Sequence, residues 1–330
     1  MENHHSHYPG GKSMSVSDTN KIDAVQLGGS DVWISPMGTG TWQWGERKLW
    51  EYGRTHREKD IRAAFRASLE AGIYFFDTSE GYGRGKSERF LGRFIHDSQQ
   101  GMVVATKYDP RPWRRWEKSI LYAGHRSLKR LGLQKVDLYQ IHWSMPPLSI
   151  ERMAEALADM VELGLTRAVG VSNYDEKQMH LTYQVLSKRG IPLASNQVQY
   201  NLLCREVEKN GVWKACQELG VTLIAYSPLA QGILTGKYSP ELPPTGSRGK
   251  YYTASLLAEV QPLIQTMREI GQTHGGKSPA QVALNYLMCK GAVPIPGAKN
   301  ERQVRENAGA LGWRLTDQEV EALDQASSLR

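Results

Sequence analysis

The sequence predicts an α/β protein built as a (β/α)8 TIM barrel. Three observations point there. Strand-like apolar runs fall near residues 37–40, 73–77, 102–107, 137–141, 167–171, 193–197, 221–226 and 292–295, and helical patterns lie between them. Strands that alternate with helices make parallel βαβ units, and eight of them is a barrel's count. Next, no Gly-x-Gly-x-x-Gly follows an early strand, which weakens the competing doubly wound sheet. Last, polar residues crowd the carboxyl ends of successive strands, which in a parallel barrel converge on one rim. A chain of 330 residues is long for a typical domain, but such barrels run to about 250 residues and accept insertions.

In chain order, residues 1–21 are polar and rich in His, Ser and Gly. They read as a flexible tail outside the fold, lacking the apolar core of a signal peptide. His4, His5 and His7 could hold a metal, but a tail or expression remnant is the plainer reading. Residues 22–330 then form one barrel domain. Val25-Gln26-Leu27 and Val32-Trp33-Ile34 flank Gly28-Gly29-Ser30-Asp31, a β-hairpin pattern. Met37-Gly38-Thr39-Gly40-Thr41-Trp42 reads as the first barrel strand entering a loop, where glycines let a ligand approach the backbone. Residues 43–58 form a long rim loop.

Helical patterns follow near 59–71, 86–95, 119–131, 149–163, 176–188, 205–219 and 301–310. Another spans 278–290, with Ser278 as N-cap and Pro279 in the first turn. A last one, 316–327, adds helix beyond the barrel count. The organising stretch is Phe75-Phe76-Asp77-Thr78-Ser79-Glu80-Gly81-Tyr82-Gly83. A carboxylate ending a buried strand is costly without a partner, and Tyr82 sits between two glycines that let the loop bend. The run 103–106 leads into Lys107 and 137–141 leads into His142. Later strand ends present Ser172, Asn173, Gln197 and Tyr226. Residues 237–252, rich in Pro, Gly and charge, read as a mobile loop that could close over a ligand.

Composition excludes some classes. No run approaches the roughly 20 apolar residues of a membrane helix. The net charge of +7 is scattered, with small clusters at 111–115 and 299–305. That suits a small anion at least as well as nucleic acid. Cys204, Cys216 and Cys289 form no zinc or disulfide pattern, so a reducing, cytoplasmic setting is the default. Gly85-Lys86-Ser87 ends like a phosphate-binding loop, but Glu80 stands where that motif needs Gly. Gly170-Val171-Ser172-Asn173-Tyr174 lacks the last Gly of a nucleophile elbow. Neither a metal nor a serine nucleophile is indicated.

The stretch 76–83, Thr106-Lys107 and Ile141-His142 together resemble the motifs of the aldo-keto reductase family, and matches run in family order over residues 22–327. The resemblance implies that the hairpin closes the bottom of the barrel. It implies catalytic Asp77, Tyr82, Lys107 and His142. Cofactor contacts carry over to Gly40, Thr41, Trp42 and Asp77 around the first strands, and to Ser172, Asn173 and Gln197 at the nicotinamide amide. Tyr226 would stack on the ring. Ser227, Leu229 and Gln231 would pass beside the pyrophosphate. The segment Pro294-Ile295-Pro296-Gly297-Ala298-Lys299, followed by a helix start, resembles the adenosine-phosphate site. Lys299 would take the ribose 2′-phosphate, with Gly297, Gln303 and Asn307 nearby. Many relatives carry Lys-Ser and an Arg where Gly297-Ala298 and Gln303 stand here. NADP(H) is thus favoured, with NAD(H) left open.

The chemistry implied is carbonyl reduction. The nicotinamide supplies hydride, and Tyr82 supplies the proton, with its pKa lowered by Lys107. Asp77 would hold Lys107, and His142 would orient the substrate oxygen. Trp42, Trp44, Tyr108, Trp113, Trp116 and Trp143 suggest an aromatic pocket for a small-molecule substrate, an apolar aldehyde or ketone. No long C-terminal substrate loop follows Asn307. No obligate protein partner is evident. Two alternatives stand: a cofactor-binding regulatory subunit of the channel-β type, and a hydrolase using Asp77 and Glu80.

Overall fold

The computed structural model describes residues 24–98 and 100–327; the tail at 1–21 lies outside them. A hairpin of β1 (Val25–Gln26) and β2 (Trp33–Ile34) comes first. Eight parallel strands follow: β3 (Thr39–Gly40), β4 (Phe75–Asp77), β5 (Val103–Tyr108), β6 (Val136–Ile141), β7 (Thr166–Ser172), β8 (Leu193–Gln199), β9 (Thr222–Tyr226) and β10 (Val293–Pro294). They are ordered as in the sequence, each beside its predecessor. The sheet closes on itself, because Gly38 N donates to Pro294 O at 3.0 Å and Gly40 N to Pro296 O at 3.1 Å. The (β/α)8 barrel expected from the sequence is the fold observed.

Helices α1 (Glu58–Glu70), α2 (Lys86–Ser98), α3 (Lys118–Leu131), α4 (Ile150–Glu162) and α5 (Glu176–Ser187) fill the first connections. The starts of α4 and α5 are capped as their sequences imply. Ser149 accepts from Arg152 N, and Asp175 makes a reciprocal box with Gln178. The expected helix 205–219 is instead a 3₁₀ turn at Glu206–Glu208 followed by α6 (Val212–Leu219). The break falls at Gly211, whose φ of +85° no helix tolerates.

α7 (Ala254–Thr273), 20 residues long, was not foreseen. Pro262 inside it argues against a helix, at about 3 kcal/mol for an interior proline. Yet Leu257, Val260, Leu263, Ile264, Met267 and Ile270 form a buried stripe along it, and that burial outweighs the lost backbone bond. α8 (Pro279–Cys289), α9 (Glu301–Ala308) and α10 (Asp317–Ala326) complete the ring and cover it. α10 is tied down by Arg205, whose Nη1 donates to Asp324 O and Ser327 Oγ, both at 2.8 Å.

The barrel interior is stratified. Its lower layers are apolar: Phe75, Val103, Ala105, Leu138, Ala168, Ala194, Ile224 and Val293. Leu27, Val32 and Ile34 of the hairpin join that same cluster, so the hairpin plugs the amino-terminal end. Period-2 alternation carries the next inward positions upward. Above Phe75, Val103 and Leu138 along their strands come Asp77, Lys107 and Gln140. A bulge between β7 and β8 adds one residue to β8, after which Gln197 reaches the same layer. A dry floor thus supports a single polar storey at the carboxyl ends of the strands.

Candidate functional site

That polar storey floors a cavity of about 780 Å³ at the carboxyl-terminal rim. At its centre lies Asp77, 1% exposed. Its Oδ1 accepts from Lys107 Nζ at 2.5 Å. Its Oδ2 accepts from Gln197 Nε2 at 2.8 Å and Gln140 Nε2 at 3.3 Å. A buried carboxylate is tolerable only when so surrounded. Lys107 Nζ donates onward to Thr78 O at 2.9 Å and to the Tyr82 hydroxyl at 3.3 Å. Asp77, Lys107 and Tyr82 therefore form a continuous chain from the floor to the cavity.

His142 stands beside them, its ring edge-on to Tyr82 with centroids 5.8 Å apart. Burial, with help from the Lys107 and Arg111 charges, pushes its pKa down to about 3, so the ring is neutral near neutral pH. Ser79 Oγ accepts from Gly81 N at 3.1 Å and lies 3.4 Å from His142 Nδ1. With the hydroxyl donating to Nδ1, Nε2 carries the ring proton and can donate to an oxygen in the cavity.

The expected lowering of the Tyr82 pKa is not what the structure shows. Burial and the negative charges of Asp77 and Asp109 hold the phenol well above its ordinary value. Lys107 cannot offset them because Asp77, at 2.5 Å, already neutralises its charge. Burial also pushes the Lys107 ammonium down, against the pull of Asp77.

The other predicted residues divide between wall and foundation. Gly40, Thr41, Trp42, Asn173, Gln197, Tyr226, Ser227, Leu229, Gln231, Gly297, Lys299, Gln303 and Asn307 all line the cavity. Ser172 does not. Its hydroxyl, 1% exposed, donates to Gln197 O at 2.7 Å and accepts from Asn173 Nδ2 at 3.0 Å, bracing the wall from behind. Tyr226 is fixed by donating to Asn173 Oδ1 at 2.9 Å. Gln303 Oε1 accepts from Lys299 N at 2.8 Å at the start of α9, where Asn300 caps the helix. A Cβ at Gly297 would meet Gln43 Nε2 at 1.9 Å, so a larger residue there would displace the Gln43 side chain.

Several wall residues escaped the sequence reading. Gln43 Oε1 and Trp50 Nε1 are buried in the wall without hydrogen-bond partners among the described residues. Gln43 directly follows the Gly-Thr-Trp stretch, which was a usable signal. Trp50, from the rim loop, is flanked by Lys299 Nζ at 5.3 Å and the Arg248 guanidinium at 5.7 Å. Arg248 comes from the segment 237–252, where a 3₁₀ turn at Gly246–Lys250 lies across the cavity and donates from Arg248 Nη1 to Gln231 O at 3.1 Å. With Lys237 these cations crowd one end of the cavity. Burial first, then repulsion by Arg248 and Lys237, pushes Lys299 down to about 8.

Of the six aromatics assigned to a substrate pocket, Trp42 and Trp143 line the cavity. Trp44 and Tyr108 are fully buried in the core between strands and helices, Trp44 donating to Ala298 O at 2.9 Å. Tyr108 follows the inward Lys107 on its strand, so alternation turns it outward. Trp113 and Trp116 are exposed and lie outside the cavity wall. Glu80 is held by the Arg114 guanidinium, with one contact at 3.0 Å, and accepts from Asp109 N at 2.8 Å. It supports the loop and is not poised beside Asp77 as a hydrolytic pair. Among the described residues, no group of three or more His, Cys, Asp or Glu could hold a metal ion. None of the described helices is long and apolar enough to cross a membrane.

Comparison with known proteins agrees with this geometry. The sequence profile of the Aldo/keto reductase family matches residues 36–328. The chain is 43% identical over 307 residues to a chloroplastic pyridoxal reductase of Arabidopsis thaliana, covering 89% of this chain and 83% of that one. It is 31% identical over 294 residues to a Schizosaccharomyces pombe aldo-keto reductase whose name carries NADP(+), covering 83% and 84%. A solved glycerol dehydrogenase of Gluconobacter oxydans superposes with a TM-score of 0.80 at 26% identity, over 92% of this chain and 95% of that one. With the strand-end quartet and the barrel already in place, these matches settle the lineage: the chain belongs to the aldo/keto reductase family.

Proposed function

We propose that the protein is an NADPH-dependent carbonyl reductase in which Tyr82 donates the proton. The observation that carries this reading is the chain of contacts from Asp77 through Lys107 Nζ to the Tyr82 hydroxyl, opening into the cavity. The phenol's raised pKa keeps it protonated near neutral pH, which is the state a proton donor needs.

The residues present fit a phosphorylated dinucleotide. The crowd of Lys237, Arg248 and Lys299 has charge that only an anion would relieve. Gln43 Oε1 and Trp50 Nε1 offer an unused acceptor and donor in the wall. Lys299 would hold the ribose phosphate, Asn173 and Gln197 the carboxamide, and Tyr226 the ring face. When bound, the nicotinamide supplies the hydride. His142 Nε2–H orients the carbonyl oxygen and stabilises its developing charge. The Tyr82 O–H bond breaks as its proton passes to that oxygen. The Tyr82 oxygen keeps the hydrogen bond that Lys107 Nζ donates to it at 3.3 Å.

For the substrate, the plant relative's name makes pyridoxal the first aldehyde to try. The cytoplasmic location expected from the sequence is retained as a proposal, since the chloroplastic label belongs to that relative; fractionation of a tagged chain checks it. The relatives named above are enzymes and lend the regulatory-subunit reading no support.

The test follows NADPH oxidation with 4-nitrobenzaldehyde and with pyridoxal, alongside fluorescence titration of cofactor. Tyr82→Phe should lower kcat by about a thousandfold while NADPH binding is retained. Binding of neither NADPH nor NADH by the wild type would sink the proposal.

A further inference from the structure

The charges facing the cavity are segregated. Lys237, Arg248, Lys299 and Arg302, with Glu306 among them, gather toward α9, while Asp77 and Asp109 lie at the Tyr82 end. Asp77 is enclosed by its donors. Asp109 is different, with a side chain 20% exposed and a place in the cavity wall with Trp42, Tyr82, His142 and Trp143. Its carboxylate lies over Gly81, one residue before Tyr82: a Cβ on that glycine would sit 3.0 Å from Asp109 Oδ2.

Asp109 is not a loose rim side chain. Its backbone N donates to Glu80 Oε1 at 2.8 Å, and its carbonyl accepts from Arg114 Nη1 at 2.9 Å. Oδ2 accepts from Arg111, whose side chain is 45% exposed and does not line the cavity. Among the described residues no hydrogen bond reaches Oδ1. The other charges nearby are Glu80 and Arg114 on its backbone side and Lys107 behind Tyr82, already paired with Asp77. Desolvation pushes the carboxyl up and Arg111 pulls it down.

We infer that Asp109 is a specificity-determining residue. It selects aldehydes whose flat ring carries a positive charge or a hydrogen-bond donor, and it disfavours anionic ones. The inference rests on the reductase reading and deepens it. A ring whose carbonyl lies at Tyr82 and His142 would share the stretch of wall that holds Trp42, Trp143 and Asp109, and so would bring a substituent toward this carboxylate. A protonated pyridine aldehyde meets the requirement, and an aldehyde bearing a carboxylate or phosphate meets repulsion in a partly desolvated site.

The experiment uses three benzaldehydes that differ in charge at one position: 4-(trimethylammonio)-, 4-nitro- and 4-carboxybenzaldehyde. For each, kcat/KM is measured at saturating NADPH, and a dissociation constant is taken from tryptophan quenching with NADP+ bound. Wild type should favour the cation over the anion about tenfold, and Asp109→Asn should bring that ratio to about twofold or less. Arg111→Ala, which frees the carboxylate, should raise the ratio above wild type and serves if Asp109→Asn does not fold. A ratio unmoved by both variants overturns the inference. If no aldehyde turns over, the reductase reading fails alone. Charge-ordered binding that Asp109→Asn abolishes would still support the assignment to Asp109, and binding without charge order would overturn it.

Discussion

Lys299 is the side chain whose state is most open to test. Its pKa near 8 arises from burial and from Arg248 and Lys237. A phosphate beside it would raise that value, so binding above pH 8 requires proton uptake. Affinity for NADPH should therefore be level below about pH 8 and weaken by about tenfold per pH unit above it. Lys299→Arg, charged throughout, should show a flat profile. Fluorescence titration between pH 7 and 9.5 reads both, and a level wild-type profile would remove Lys299 from the phosphate site.

At this scale the sequence was most legible where function needs an inward residue at a strand end. Asp77, Lys107 and His142 could be placed because a polar residue ending an apolar run has few other uses. Gln140 obeys the same alternation, two residues beyond Leu138, and its contact with Asp77 at 3.3 Å was available in principle. Trp44 and Tyr108 were misplaced because aromatic character alone does not say which face of a strand or loop is turned to the core.

Elements were readable where their ends are written locally. The boxes at Asp175 and Ser278 and the paired runs of the hairpin needed no tertiary knowledge. α7 needed it, since its stripe matters only against the barrel that receives it. So did the bulge in β8, a feature of register that appears only once β7 is alongside. α10 shows the same dependence on distant residues. Arg205, 17% exposed, forks to Glu208 and Asp324 at 2.7 Å and also holds the end of α10 through Ser327. Its loss leaves Lys290, whose Nζ lies 3.8 Å from Glu208 and 3.3 Å from Asp324, to serve both carboxylates beside Tyr286, whose hydroxyl donates to Asp324 at 2.5 Å. Arg205→Ala should cost about 2 kcal/mol and lower Tm by about 4 °C. A calorimetric scan checks this, and an unchanged Tm would show that α10 is held by its apolar face alone.

For the whole molecule, the division into a dry floor and a polar storey separates folding from chemistry. Substitutions among Phe75, Val103 and Leu138 should act on stability alone, while on the proposed reading those among Asp77, Lys107 and Gln140 should also act on the reaction. The hairpin adds something else. Its Leu27, Val32 and Ile34 pack beneath floor layers that already fill the barrel, so among the described residues the cavity is a blind vessel with one mouth, at the carboxyl-terminal rim. Two occupants that share one mouth have to queue, and whichever reaches Asn173, Gln197 and Tyr226 on the inner wall goes in first and comes out last. Initial-rate measurements should then show NADP+ competing with NADPH, while the alcohol product is not competitive with NADPH. Arrival of the two in either order would show that they do not queue.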